Sequence, residues 1–169
     1  MTPRASAPER VLLFSIEKSR FALSLPVVEH VVRAVAVMPL PGAPDIVLGV
    51  IDFHGRIVPV INMRRRLGLP ERDLALSDHF ILARSGQHIV VLVADAVGTV
   101  TSLLPQALVH AESVVPNTGV VEGVLKLPDG LALLQDLEKF LSLDERRLLN
   151  EALATRESES LTSTNSPTH

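Results

Sequence analysis

Residues Gly49 to Leu69, GVIDFHGRIVPVINMRRRLGL, lie without a gap over residues Gly123 to Leu143, GVLKLPDGLALLQDLEKFLSL, at a constant offset of 123 − 49 = 74. Val50, Ile51, Phe53, Ile57, Val60, Met63, Leu67 and Leu69 fall on Val124, Leu125, Leu127, Leu131, Leu134, Leu137, Leu141 and Leu143, while most polar positions differ. What repeats is therefore a pattern of burial. Only the turn glycine slips, Gly55 against Gly130, and a weaker match precedes each copy, FALSLPVVEHVV from Phe21 over IVVLVADAVGTV from Ile89. Two copies of one supersecondary unit predict a duplicated β module whose halves pack together, an organisation better suited to a binding surface than to a catalytic pocket.

Composition narrows the function classes. The chain has 169 residues, so a half of about 70 residues would be marginal alone and the core must be shared. Hydrophobic residues are 47% of the chain, yet there is no Trp or Tyr and only five Phe, and the net charge is −3. Sequence-tolerant nucleic-acid binding needs aromatic platforms and a basic groove, and this chain offers neither. Cysteine is absent, which excludes disulfides and thiolate chemistry and fits a reducing, cytoplasmic setting. No apolar h-region is readable in MTPRASAPER, and no apolar run approaches the roughly 18 residues of a membrane span.

Along the chain, residues 1–9 read as a flexible leader. Strands are expected at about 10–17 and 20–25, then a Val-rich strand over Val27 to Val37 with a short helical turn at its start. Asp45 is expected to cap a helical turn leading to Leu48. A hairpin follows, Gly49 to Phe53 and Arg56 to Ile61, with Gly55 supplying positive φ at the tip. Pro59 lacks an N–H, so its strand is expected at an edge or with a bulge at that point. Asn62 caps a helical turn that Gly68 stops. The second copy reads alike: strands at about 79–84, 88–94 and 97–103, extended chain at 109–115, and a hairpin across Pro128-Asp129-Gly130. Asp136 caps a helix to Leu141 and Asp144 caps a second, LDERRLLNEALA, with an apolar stripe of Leu148, Leu149 and Leu153. Residues 156–169 are rich in Ser, Thr and Glu and are expected to be disordered.

Chemistry-bearing motifs are sparse. There is no GxxxxGK[ST], no GxGxxG after a strand and no GxSxG elbow. His79 and His88 can face each other across a hairpin, but two imidazoles without a carboxylate or Cys fall short of a usual metal site, and no metal or cofactor is expected. Asp45, Asp52 and Asp95 sit at strand or turn ends, where capping or solvation outweighs acid/base catalysis. Arg64, Arg65 and Arg66 read as a solvated face, or as an anchoring patch for an acidic partner. At the hairpin tip, His54 presents a polar group beside Phe53, the makeup of a contact hot spot, with turn filler as the competing reading.

With these residues in place, LGVIDFHGRIVPVINMRRRLG resembles the central motif of the CheW-like domain family. The usual form is a Gly-Val-x-Asn-Leu-Arg-Gly hairpin, an apolar strand with an internal Pro, then Asp-Leu-Arg. The resemblance runs from about Arg10 to Leu149 and takes in Phe14, Phe21, the Val-rich strand, ADAVGTV from Ala94 and the closing GVLKLPDGLALLQDLEKFL. It implies a mostly β, non-enzymatic adaptor: two packed SH3-like five-stranded barrels with short helices and a C-terminal helix, in one domain over 10–155 with repeat units of about 10–70 and 78–143. It implies two partners, a CheA-type histidine kinase, met through that kinase's own CheW-like regulatory domain, and the cytoplasmic tips of chemoreceptors. Carried over by position, the partner-binding residues are Val28, His30, Asp52, Phe53, His54, Gly55 and Arg64. Two positions depart from the family pattern, His54 for the usual Arg and Asp52 for the usual Asn. They make a divergent chemosensory pathway, for example one governing pilus motility, the alternative within this class. A small-ligand or metal-binding β-barrel or hydrolase is the alternative from another class.

Overall fold

The computed structural model describes residues 10–110, 121–139 and 141–163. The expected leader, the extended segment at 111–115 and the last six residues lie outside them. Strands β1 (Arg10–Ile16) and β2 (Ser19–Ser24) form a hairpin, and a single 3-10 turn (Leu25–Val27) leads into β3 (Val28–Arg33). Strands β4 (Val47–Phe53) and β5 (Arg56–Ile61) form the second hairpin, followed by α1 (Met63–Leu67). Strands β6 (His79–Ser85), β7 (His88–Ala94), β8 (Ala96–Ser102) and β9 (Leu108–His110) come next, then β10 (Val121–Leu127), β11 (Gly130–Gln135) and the C-terminal α2 (Leu143–Ser163).

The fold is mostly β, in two sheets ordered β8-β1-β2-β11-β10-β9 and β3-β6-β7-β5-β4. The N-terminal hairpin thus lies in the sheet of the C-terminal hairpin, and β6–β7 lies with β3, β4 and β5. Each exchange is made by a short parallel ladder, Phe21 and Ala22 of β2 against Leu133 and Leu134, and Val60 and Ile61 of β5 against Val91 and Leu92. The repeat is visible in the backbone: adding 74 to the bounds 47–53 and 56–61 gives 121–127 and 130–135, the bounds of β10 and β11. Even the bulges repeat, between Val47 and Gly49 and between Val121 and Gly123. The cause is close backbone approach. A Cβ on Gly49 would lie 2.2 Å from the Met38 carbonyl oxygen, and one on Gly123 2.6 Å from that of Val109. Only glycine fits beneath a crossing chain at that range.

One sheet has six strands where five were expected. The extra strand is β9, which pairs with β10; its counterpart in the other half shrinks to a single bridge, Met38 to Val50. The five-stranded sheet is curled, because its two outer strands meet: the rings of His30 on β3 and Phe53 on β4 are 5.0 Å apart. Three apolar clusters result. Ile51, Val58, Val60, Phe80, Leu82 and Val91 fill the five-stranded sheet, and Val11, Leu13, Ala22, Leu125, Ala132 and Leu134 fill the six-stranded one. The third lies between the sheets, where Phe14 and Phe21 stack at 5.6 Å and are joined by Ile61, Met63, Ile81, Leu92, Leu137 and Leu149.

Five local expectations are corrected. Strand β5 is interior: Pro59 pairs regularly with Val50, and the ladder to β7 begins only at Val60, so the missing N–H falls just before the second neighbour joins. Asp45 heads no helix; a turn closed by Val47 N to Pro44 O leads straight into β4. After Asp136, whose carboxylate accepts from Glu138 N at 3.1 Å, one 3-10 turn (Leu137–Lys139) stands in place of a helix to Leu141. The cap of α2 is Ser142 rather than Asp144. Ser142 Oγ accepts from Glu145 N at 3.1 Å and Glu145 Oε1 accepts from Ser142 N at 2.9 Å, a reciprocal capping box. The same helix continues to Ser163, beyond Arg156 where disorder was expected. Once nucleated and docked through Leu149 and Ala152, a helix extends cheaply through residues such as Glu and Ala.

Candidate functional site

The β4–β5 tip is built by local chemistry. His54 at φ 52 and Gly55 at φ 84 both occupy the left-handed region, as a two-residue turn matched to strand twist requires, so positive φ is not confined to the glycine. Asp52 holds the turn closed, its Oδ1 accepting from Gly55 N at 2.8 Å. Phe53 is half-buried, its inner side against the core of the five-stranded sheet. Its outer side meets two imidazoles: His30 at 5.0 Å with the rings at 50°, and His54 at 4.3 Å edge-on at 86°. Beside them Arg56 approaches Glu29 at 3.9 Å, a second tie between hairpin and β3. His30, Phe53 and His54 therefore form one surface cluster, Asp52 and Gly55 shape the turn that presents it, and Val28 stands half-buried at the head of β3 against the central core.

Arg64 does not join that cluster. It is 8% exposed, and its guanidinium donates to Glu17, to the Pro70 carbonyl at 2.9 Å and to both oxygens of Asp95 at 2.7 and 2.8 Å. Asp95 stands where the chain crosses from β7 in one sheet to β8 in the other, and it also accepts from Glu17 N at 2.8 Å and Arg72 at 2.8 Å. Arg72 in turn grips Asp78 at 2.6 and 3.0 Å. Burial pushes the Asp95 carboxyl up, but the Glu17 N–H and the two guanidiniums outweigh it and hold the group below the usual carboxylate range. Asp78 behaves alike: burial raises it, and Arg72 with the Ala75 N–H brings it lower. The other two arginines are also engaged, Arg65 with Glu71 at 2.9 Å and Arg66 with Glu145 at 2.5 and 2.6 Å. In the arginine run Arg65 is exposed while Arg64 and Arg66 are buried or half-buried, and each of the three is held by a carboxylate.

His79 and His88 do not face each other. In the β6–β7 ladder His79 pairs with Ala94 and His88 with Ser85, which puts them at opposite ends of the hairpin. Among the described residues no three His, Cys, Asp or Glu side chains gather as a metal site, and no helix is long and apolar enough to cross a membrane. The partners of Arg64 escaped sequence reading because Glu17 and Asp95 lie 47 and 31 residues away. The one available signal was Asp95 itself, in the ADAVGTV segment.

The result is a duplicated β fold that presents an aromatic and imidazole cluster on a shaped hairpin, the architecture of an adaptor module. The CheW-like domain model matches residues 10–145, and the chain belongs to the CheW family. It is 26% identical over 144 residues to the chemotaxis protein CheW of Klebsiella aerogenes, covering 84% of this chain and 87% of that protein. Against chemotaxis protein CheW of Thermotoga maritima it is 27% identical over 132 residues, 78% of this chain and 86% of the relative. The crystal structure of the scaffolding protein TtCheW from Thermoanaerobacter tengcongensis superposes with a TM-score of 0.75 at 24% identity, covering 82% of this chain and 96% of that one, and shows the same fold. The chain is a chemotaxis adaptor of the CheW family, a non-enzymatic scaffold that works through protein partners.

Proposed function

We propose that this chain works in the cytoplasm, coupling a CheA-type histidine kinase, through that kinase's own CheW-like regulatory domain, to the cytoplasmic tips of chemoreceptors. The observation that carries the reading is the His30–Phe53–His54 cluster, in which two separate elements bring a half-buried aromatic and two polar rings to one surface. Aromatic anchors set among polar groups dominate protein contacts. Phe53 is braced from below by the sheet's core, so little side-chain entropy remains to be lost on binding. At position 54 an imidazole replaces the family's guanidinium, which carries a permanent charge and a planar fork of donors; an imidazole stacks and offers two ring nitrogens instead. That exchange favours a partner whose matching surface has changed with it, as in a divergent chemosensory pathway.

Reconstitution tests the reading. Kinase and receptor-bearing membranes from the same genome are mixed with and without this chain, and kinase autophosphorylation is followed as receptor ligand is added. Receptor control is expected only when the chain is present, and Phe53→Ala should weaken it. A chain that binds neither kinase nor receptor fragments, or leaves kinase activity insensitive to receptors, defeats the proposal.

A further inference from the structure

Next to the β4–β5 tip, the start of β5, the β6–β7 hairpin and α2 enclose a groove of about 240 Å³. Its floor is apolar, formed by Ile57, Ile89, Leu149 and Leu153, and Ile57 is left 39% exposed to water. Its rim carries Arg56, Arg84 and His88, and no Asp or Glu lines it, although Arg56 lies 3.9 Å from Glu29 outside the groove. Arg84 is exposed and donates to the Pro26 carbonyl at 3.1 Å, a neutral acceptor that leaves its charge uncompensated. Arg146 stands close by, its Nη1 3.3 Å from where a Cβ on Gly86 would sit in the β6–β7 turn. The chain as a whole carries −3, so this face reverses the sign of the molecule. Leu149 and Leu153 come from α2 past residue 145, where the CheW-like match ends, so the groove is not wholly supplied by the common module.

We propose that this groove docks an acidic amphipathic helix of a partner protein. Leu149 is buried at the base of the groove, so the exposed Ile57 with the half-buried Ile89 and Leu153 are the apolar groups left to meet side chains at i and i+4 of an incoming helix. Arg84 on the facing rim then lies opposite a carboxylate that flanks those anchors, and guanidinium is the cation whose planar fork grips a carboxylate through two bonds. The groove adjoins the hairpin cluster at Arg56 but is built on other side chains, and its docking role goes beyond the coupling proposed above.

The probe is a fluorescein-labelled helical peptide with leucines at i and i+4 flanked by glutamates, read by anisotropy, beside the same peptide with lysine for every glutamate. The acidic peptide should bind, with affinity falling as salt is added. It should perturb the amide resonances of Ile89, Leu149 and Leu153. Arg84→Glu, at an exposed position that leaves the fold intact, should weaken binding about tenfold or more, and Leu153→Gln should do likewise. Phe53→Ala should leave peptide binding unchanged, which keeps this result independent of the coupling proposal. Failure of the acidic peptide to bind, equal binding of the lysine peptide, or wild-type affinity in Arg84→Glu overturns the proposal. So does a concentration-dependent dimer in sedimentation that Leu153→Gln dissolves, because the groove would then be occupied by a second copy of this chain.

Discussion

Arg64 on α1 donates to both carboxylate oxygens of Asp95, at 2.7 and 2.8 Å, and so ties the helix that ends one sheet's hairpin to the point where the chain crosses into the other sheet. Glu17, in the β1–β2 turn of the six-stranded sheet, completes the tie through its side chain to Arg64 and its N–H to Asp95. A helix, a hairpin turn and a crossing point from two sheets thus share one partly buried set of charges.

Arg64→Ala should therefore act on stability before it acts on binding. Removing Arg64 strands carboxylates that are still reached by water, Glu17 at 43% and Asp95 at 27% exposure, so the expected loss lies between those of a surface and a buried pair, about 1 to 3 kcal/mol in denaturant unfolding. Arg64→Lys should recover part of it, since an ammonium keeps the charge without the fork. An Arg64→Ala protein that melts like the wild type yet loses its partner would instead place Arg64 in a contact surface.

Acid should unfold the protein through the same groups. Asp78, Asp95 and Glu145 all have carboxyl groups held below their ordinary range in the folded state. As pH falls through about 4, the unfolded chain takes up protons that the folded chain still refuses, so stability present above that range is progressively lost below it. Asp95→Asn, measured by denaturant midpoint between neutral and acid pH, should be less stable at neutrality and should flatten the dependence. An unchanged slope would show that these carboxylates do not govern acid unfolding.

What was legible in the sequence was mostly local. The His54-Gly55 tip, the Asn62 cap and the Gly68 stop each rest on chemistry within a few residues, and the structure shows each, with Asn62 Oδ1 accepting from Arg65 N at 3.1 Å and Gly68 at φ 70. The offset of 74 was legible because buried positions keep their pattern when surface positions drift. The hairpin exchange was not, because each parallel ladder that makes it registers only two residue pairs, too few to mark a sequence. Pro59 misled for a related reason: its missing N–H signals an unpaired position, and an interior strand supplies one where its second neighbour has not yet joined. Of the site residues, those near the hairpin in sequence or across one sheet edge came together, whereas Arg64 was positioned by partners tens of residues distant.

The glycines beneath the crossing chains give a sharp test of the duplication. Gly49→Ala and Gly123→Ala place a Cβ 2.2 and 2.6 Å from a backbone oxygen, so the crossing segment must shift. Each should cost about 2 kcal/mol or more, while Gly55→Ala, with open space around it, should cost less through backbone strain alone. Equal effects at all three would sever the link between repeat position and crossing chain.

Val60→Ala and Leu134→Ala probe how the halves are joined. The two positions are repeat-equivalent and fully buried, yet each fills the interior of a different sheet. The loss should be about 2 to 4 kcal/mol for leucine and less for valine. Because a third core and exchanged hairpins bind the sheets together, each variant should still unfold in one transition by circular dichroism, calorimetry and amide NMR signals from both sheets. Two separated transitions in either would mean that the sheets melt independently.

The position that departs most from the family pattern offers the last test. His54 lies at φ 52, in a region where a non-glycine residue is strained and His, Asn and Asp are tolerated best. His54→Arg should accordingly cost a little stability, about 0.5 kcal/mol, since arginine lacks that tolerance. It also loses the edge-on contact with Phe53 at 4.3 Å, and it restores the charge the family usually carries there. Under the proposed coupling, calorimetric affinity should fall for the receptor and kinase fragments of this protein's own genome and rise for those of a standard chemotaxis array. His54→Ala, which removes the ring without adding charge, should weaken the first and leave the second near its starting value. Paired with His30→Ala in a double-mutant cycle, it should show coupling, because both imidazoles bear on the same Phe53 ring. Wild-type affinity for both sets of fragments in all these variants would move the partner surface away from the hairpin while leaving the scaffold fold untouched.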